Sequence, residues 1–349
     1  MKILAINNYS IEDAIEKSEK GIMPKHHAWG VDYLRLNGDV VDCINYQIPR
    51  ISYFSSILSL IYQLFFCIKL MFTKREYDVV IAFANPIIGF LPLFKKIGLY
   101  NAKLYTIVLH HNRFMFLSSG YEKIFFLSKE IMNEVNKKCN YHNFEYIEWG
   151  ADLSFYDTTF KEMKENLSQR LTSSKLISTG KTRRDFATLV EVSENLNIPL
   201  IIITDEIQYK GKQFIESKRK GINAITYIDL LCHLKESLVN VVSITPIKNK
   251  YTLCGLTSVI DGLALGMPTI ISDNSNISID FEKHNLGVVY KEGDRRDLSL
   301  KLKSLLMDEK RIKIMGENAR KYAEKHDYKK FCRHIFNSLH VSVPNDVFH

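Results

Sequence analysis

The feature that most restricts this chain is an alternation, sustained over nearly its whole length, of short β-branched apolar runs with segments of helical periodicity. In the first half the runs are "KILAI", "DVVDCI", "YDVVIAFA", "KLYTIVLH", "KIFFLS" and "FEYIEWG". Near-continuous apolar runs of this kind read as strands buried on both faces, with the intervening helices as cover. One helix contains "WGVDYLRLNG" and ends at Gly38, a C-cap residue, and a long one runs from about Ser52 to Phe72. The rhythm weakens between about Asp152 and Ser174, a polar stretch, then restarts with "KLISTG", "PLIIIT", "AITYI", "NVVSITP", "PTIIS" and "LGVVY". Helices fall between these runs, including "RDFATLVEVSENLN" and "DLLCHLKESL", and the segment from Leu298 to about Ser338 is charged and helical. The expected fold class is α/β, with two Rossmann-like doubly wound domains over residues 1–155 and 173–330, facing across a cleft.

Composition narrows the function. With 349 residues the chain has room for two domains with separate cores, and 46% hydrophobic and 25% charged residues are globular values. A formal charge of +8 suits an anionic ligand or an anionic membrane surface and falls short of the basic density of a nucleic-acid binder. The six cysteines lie far apart with no C-x-x-C pair, which argues against zinc and disulfides and for a reducing cytoplasm. The start "MKILAINNYS" is expected to be a buried first strand and not a signal peptide.

Chemistry is concentrated in two segments of the second half. In "CGLTSVIDGLALGMPTIIS", Thr257 and Ser258 follow Gly255 and open an apolar helix. Free N–H groups and hydroxyls at a helix start can hold a phosphate, although helix capping alone also explains these residues and is commoner. Asp261, one turn on, is an acceptor for ribose hydroxyls or simply favours the helix dipole. In "LISTGKTRRDFATLVEV", a strand runs through a Gly turn with Lys181, Arg183 and Arg184 into a helix, and an Arg fork suits a diphosphate. A solvated basic turn explains any one of these residues, but two phosphate-suited turns in one half are harder to dismiss.

With these motifs in order, the chain resembles the retaining, family-4-like branch of the GT-B glycosyltransferases. "GLTSVIDGLALGMPTI" is similar to that branch's G-x-T-S-x-x-E-A-x-A-x-G-x-P-x-I pattern, and "GKTRRDFATL" to its G-x-x-x-R-D-(aromatic)-x-x-L segment. "MPKHHAWG" resembles the acceptor-side loop, and "TIVLHHNRF" the strand that ends in a histidine near the donor sugar. The resemblance implies a nucleotide-diphosphate sugar as donor, bound by Lys181, Arg184, Gly255, Thr257, Ser258 and Asp261, with base contacts near Tyr227 and Ile228. It implies His110 and Arg184 as catalytic residues and His26, His27 and Trp29 on the acceptor side. It also implies that residues 331–349 pack back on the first domain. The branch's acidic pair is Glu, seven residues, Glu; here the second position is Asp261 and the first is Leu253.

The implied reaction is transfer of a sugar from a UDP- or GDP-sugar, with retention, to a glycan or polyprenyl-linked acceptor in bacterial cell-surface polysaccharide synthesis. No cofactor is expected. No D-x-D occurs in the chain, so protein cations are expected to take the place of a metal on the diphosphate. The pairs His26–His27 and His110–His111 lack an acid or Cys at ligand spacing, which argues against a metal site. Two alternatives stay open, a nucleotide-sugar epimerase or hydrolase on the same fold, and a degenerate GT-B partner protein.

One further stretch stands out. Eighteen residues between Arg50 and Lys69 carry no charge. Ser52, Ser55, Ser56, Ser59 and Gln63 recur at helical spacing as a polar stripe, which speaks for a core-facing helix over a membrane span. Resting on the inner face of a membrane is the other reading, since Arg50, Lys69, Lys74 and Arg75 flank the run. The expected location is cytoplasmic, with peripheral contact at that inner face.

Overall fold

A computed structural model of the chain describes residues 1–46, 55–73, 76–83, 87–109, 119–138, 142–161, 170–172, 174–205, 214–219, 222–223, 225–246 and 252–340. The chain divides into two compact units: residues 1–20, 25–149 and 328–349 form the first, and 21–24 with 150–327 the second. The divisions thus fall at Gly150 and Tyr328, against the expected ends at 155 and 330. Gly150 lies against the backbone of His326 and Asp327, so closely that a Cβ would stand 2.0 Å from the His326 carbonyl oxygen. The chain therefore enters and leaves the second unit at one place, and only glycine permits the approach.

The first unit is built on six strands: β1 (Lys2–Asn7), β2 (Val40–Asn45), β3 (Val79–Ala82), β4 (Lys103–Val108), β5 (Lys123–Phe126) and β6 (Phe144–Tyr146). Their order is β2-β1-β3-β4-β5-β6, and every pairing is parallel. All four residues of β3 are buried, as are five of the six in β1, which is why these strands read as continuous apolar runs. The last helix, Tyr328–Leu339, belongs to this unit. Tyr328 accepts the Gly30 N–H at 2.5 Å and donates to Asp32 at 3.0 Å, and His340 meets Asp39 at 2.9 Å.

The second unit carries β7 (Leu176–Thr179), β8 (Leu200–Asp205), β9 (Phe214–Arg219), β10 (Ile222–Asn223), β11 (Val239–Val242), β12 (Thr269–Ser272) and β13 (Gly287–Tyr290). The order is β10-β9-β8-β7-β11-β12-β13, parallel except for the β9–β10 hairpin. One sheet face buries Phe186, Leu189, Leu302 and Ile312; Val259, Leu263, Phe281 and Ala319 form a second buried cluster. The chain starts at β7 and runs outward in both directions, so β7 and β11, adjacent in space, flank the topological switch point.

Two expectations are corrected. "AITYI" is not a strand, because Tyr227 opens the helix Tyr227–Glu236 behind a capping box in which Thr226 and Asp229 exchange hydrogen bonds. The charged run "FIESKR", read as no element, is strand β9. The helical tail resolves into Arg295–Leu306, Glu309–Lys325 and Tyr328–Leu339.

Candidate functional site

The second unit brings both chemistry-bearing segments to the switch point. β7 ends at Gly180, whose φ of +128° lets the chain turn sharply, and β11 leads to Gly255, φ +87°, which caps the helix Leu256–Ala264. No side chain caps that helix, and its first backbone bond runs from Val259 N–H to the Gly255 carbonyl. The N–H groups of Leu256, Thr257 and Ser258 therefore point out of the helix start, where the macrodipole is positive.

Arg184 lies between the two glycines. A Cβ on Gly180 would fall 2.3 Å from its Nη2, and one on Gly255 3.3 Å from its Nη1. The guanidinium is locked from behind: Nε donates to the Thr179 carbonyl at 2.9 Å and Nη2 to Ser258 Oγ at 3.0 Å. Ser258 Oγ in turn accepts from Thr179 Oγ1 at 2.9 Å and donates to the Thr179 carbonyl at 3.0 Å. Nη1 lies beside the helix start, with no hydrogen-bond partner among the described residues. Among the described residues no carboxylate pairs with Arg184, and burial pulls its pKa down to about 10, so it stays charged at neutral pH. A buried cation without a counter-charge is costly, and an anion bound at this place would offset that cost.

Asp261 sits one turn past Ser258 on the same helix face. It is 2% exposed, and its Oδ1 accepts from Tyr156 at 2.6 Å and Tyr227 at 2.7 Å. Burial raises the carboxyl to about 6, opposed by these two bonds. Burial also pushes both phenols well above their ordinary value, so they remain protonated donors.

The predicted residues thus fall into groups. Arg184, Gly255 and Ser258 converge at the switch point, but the Ser258 hydroxyl is turned inward to hold Arg184, leaving its N–H as the group facing out. Thr257 is exposed on the first turn of its helix, and Lys181 and Arg183 are exposed on the Gly180 turn. Asp261 and Tyr227 are joined, with Ile228 beside them half-buried. Leu253, at the first acidic position of the resembled pattern, is buried and apolar. His110 lies outside the described residues.

The residues expected on the acceptor side lie among the aromatic packing of the first unit. His26 is fully buried, edge-on to Trp149, and Trp29 is stacked between Phe83 and Trp149 with its Nε1 donating to Tyr9. His27 is partly buried, and its carbonyl accepts the Tyr9 hydroxyl at 2.7 Å. Burial holds His26 well below its ordinary pKa and His27 at about 4, so both are neutral packing groups in the core of the first unit. Sequence reasoning missed Thr179, which anchors Arg184, and Tyr156, which holds Asp261. The signal for Tyr156 was the aromatic pair "FY" in an otherwise polar stretch.

No protein-family model and no curated protein matches this sequence. Solved structures do match over nearly the full length of both chains. A sucrose-phosphate synthase from Thermosynechococcus elongatus superposes with a TM-score of 0.69 at 11% identity, covering 97% of this chain and 98% of its own. A UDP-forming α,α-trehalose-phosphate synthase from Burkholderia xenovorans gives 0.67 at 10% identity, covering 97% and 98%. Both neighbours are GT-B glycosyltransferases. The fold of this chain is GT-B. HepE from Anabaena, solved in complex with UDP, gives 0.65 at 13% identity, covering 97% and 99%. In the second unit of this fold, Arg184 and the Gly255 helix start lie together at the switch point.

Proposed function

We propose that this chain is a glycosyltransferase that moves a sugar from a nucleotide-diphosphate sugar to a hydroxyl of a glycan or polyprenyl-linked acceptor, with retention of configuration. The observation that carries the reading is the buried guanidinium of Arg184, with no carboxylate partner among the described residues, beside the helix start at Gly255 that no side chain caps. A leaving diphosphate gathers negative charge as the glycosidic bond breaks, and fixed cations with helix N–H groups stabilise that charge without reorganising. Arg184 Nη1, Lys181, Thr257 and the N–H groups of residues 256–258 take this role. Protein cations are proposed to serve where a metal otherwise would, consistent with the lack of a D-x-D.

The ribose is proposed to meet the Asp261–Tyr227 pair. Asp is one methylene shorter than the Glu of the resembled pattern, and Tyr227 and Tyr156 fix its carboxylate in place. UDP is the first nucleotide to try, because HepE was solved with it. The setting proposed is bacterial cell-surface polysaccharide synthesis.

A thermal-shift panel of UDP, GDP, CDP and ADP with EDTA present tests the reading, since a ligand that binds only the native state raises Tm. One nucleotide is expected to stand out. No rise with any of them at millimolar concentration would favour a degenerate partner protein, the reading that buried Leu253 supports.

A further inference from the structure

The helix Ser55–Thr73, which links β2 to β3 in the first unit, is apolar on the side that faces out. Phe65 and Phe72 are 64% and 65% exposed, and Ile61 and Tyr62 are exposed beside them. At 100° per residue Ile61, Phe65 and Phe72 form one stripe, with Ile68 half-buried in it and Lys69 and Tyr62 at its edge. The opposite side buries Gln63, Cys67, Leu70 and Met71. Gln63, the last residue of the polar stripe, is thus on the covered side.

The helix Leu91–Lys96 packs beside it, with Leu93, Ile97 and Leu99 exposed next to Lys96. Both helices connect parallel strands that step in one direction across the sheet, so right-handed crossover puts them on one face. Seven of the fourteen exposed large hydrophobic residues among those described lie on this pair of segments. That concentration is not the scatter expected of an ordinary surface.

Charge identifies the occupant. No acid occurs between Asp42 and Glu76, and Lys69 has no carboxylate partner among the described residues. The nearby acids are already matched, Glu76 by Lys2 at 3.0 Å and Glu122 by Lys95 at 2.6 Å. No helix among the described residues is long and apolar enough to cross a bilayer. We propose that this face is a docking surface for an anionic lipid membrane, with Phe65 and Phe72 entering the headgroup boundary and Lys69 meeting lipid phosphate. An amphipathic helix lying in the interface, with aromatic and aliphatic residues inward and a basic rim, binds in this way. The proposal rests on the first unit alone and stands or falls independently of the donor site.

Flotation of the full chain with phosphatidylcholine vesicles, with and without phosphatidylglycerol, tests it. The chain should float with the anionic vesicles and release at high salt. Phe65→Ser with Phe72→Ser should weaken binding at least about tenfold, and Lys69→Glu about fivefold or more. Unfolding midpoints checked in parallel should show that both variants stay folded. Failure to float with anionic vesicles, or equal flotation of the folded Phe variant, overturns the proposal. A dimer that this variant dissolves, without vesicle binding, also overturns it and assigns the face to a second copy of the chain.

Discussion

Arg184 and Asp261 are both held out of water, and the cost of each is a clue to its use. Arg184 keeps its charge, and its partners among the described residues are neutral oxygens. Asp261 ionises with difficulty: its carboxyl sits at about 6 against an ordinary 3.8, because of burial. In the unfolded chain it loses its proton at lower pH, so the folded state is penalised increasingly as pH rises from about 4 to 6. Asp261→Asn should therefore stabilise the protein by up to ~3 kcal/mol at neutral pH and by almost nothing near pH 4. Urea unfolding at the two pH values checks this, and an unchanged difference would contradict it. The sequence singled out Arg184 and Asp261 by motif, but it could not show that the Ser258 hydroxyl faces inward. That outcome depends on Thr179, on a different strand, offering both an acceptor and a donor.

At the scale of elements, the helix Leu256–Ala264 is placed by glycine at two points. Gly255 takes a left-handed φ at its start, where a Cβ would fall 2.5 Å from Val242 Cγ1. Gly262 lets the helix approach β11, whose Asn240 donates to the Ser258 carbonyl at 2.9 Å. Gly255→Ala should cost about 1–3 kcal/mol, from backbone strain and overpacking together. It should also weaken nucleotide binding, because the turn that aims the helix N–H groups must shift. A calorimetric melt alongside a nucleotide titration reads both effects. Strand and helix identities were legible wherever apolar runs were continuous, as in β3 and β12. They were misread where local chemistry decided, as at Thr226 and Asp229, whose T-x-x-D capping signature turns an apparent strand into a helix start.

At the scale of the whole molecule, the N- and C-terminal segments are folded into the same unit, and His26 and Trp29 lie where they meet. Tyr328 and Phe331 of the last helix contact the rings of His26 and Trp29. A histidine held neutral in the fold but free to protonate when unfolded removes stability as pH falls below 6.5. Stability should therefore fall as pH drops below 6.5, and His26→Phe should lessen the decline, with His27 supplying what remains. Unfolding curves across pH 5 to 7.5 measure it. The sequence placed these residues in a substrate loop, because an H-H-A-W-G run carries no sign of the aromatic partners, Phe83, Trp149 and Phe331, that arrive from distant strands and the last helix.

The central claim is that Arg184 and the Gly255 helix start together hold a nucleotide diphosphate. Calorimetric titration of UDP, then GDP, into the native chain and into Arg184→Met, with EDTA present, tests it most directly. The account predicts binding that the variant loses by about 2–4 kcal/mol, while its Tm stays level or rises because an unpaired buried charge is gone. Equal affinity in a folded variant, or a variant that loses binding only by unfolding, would contradict it.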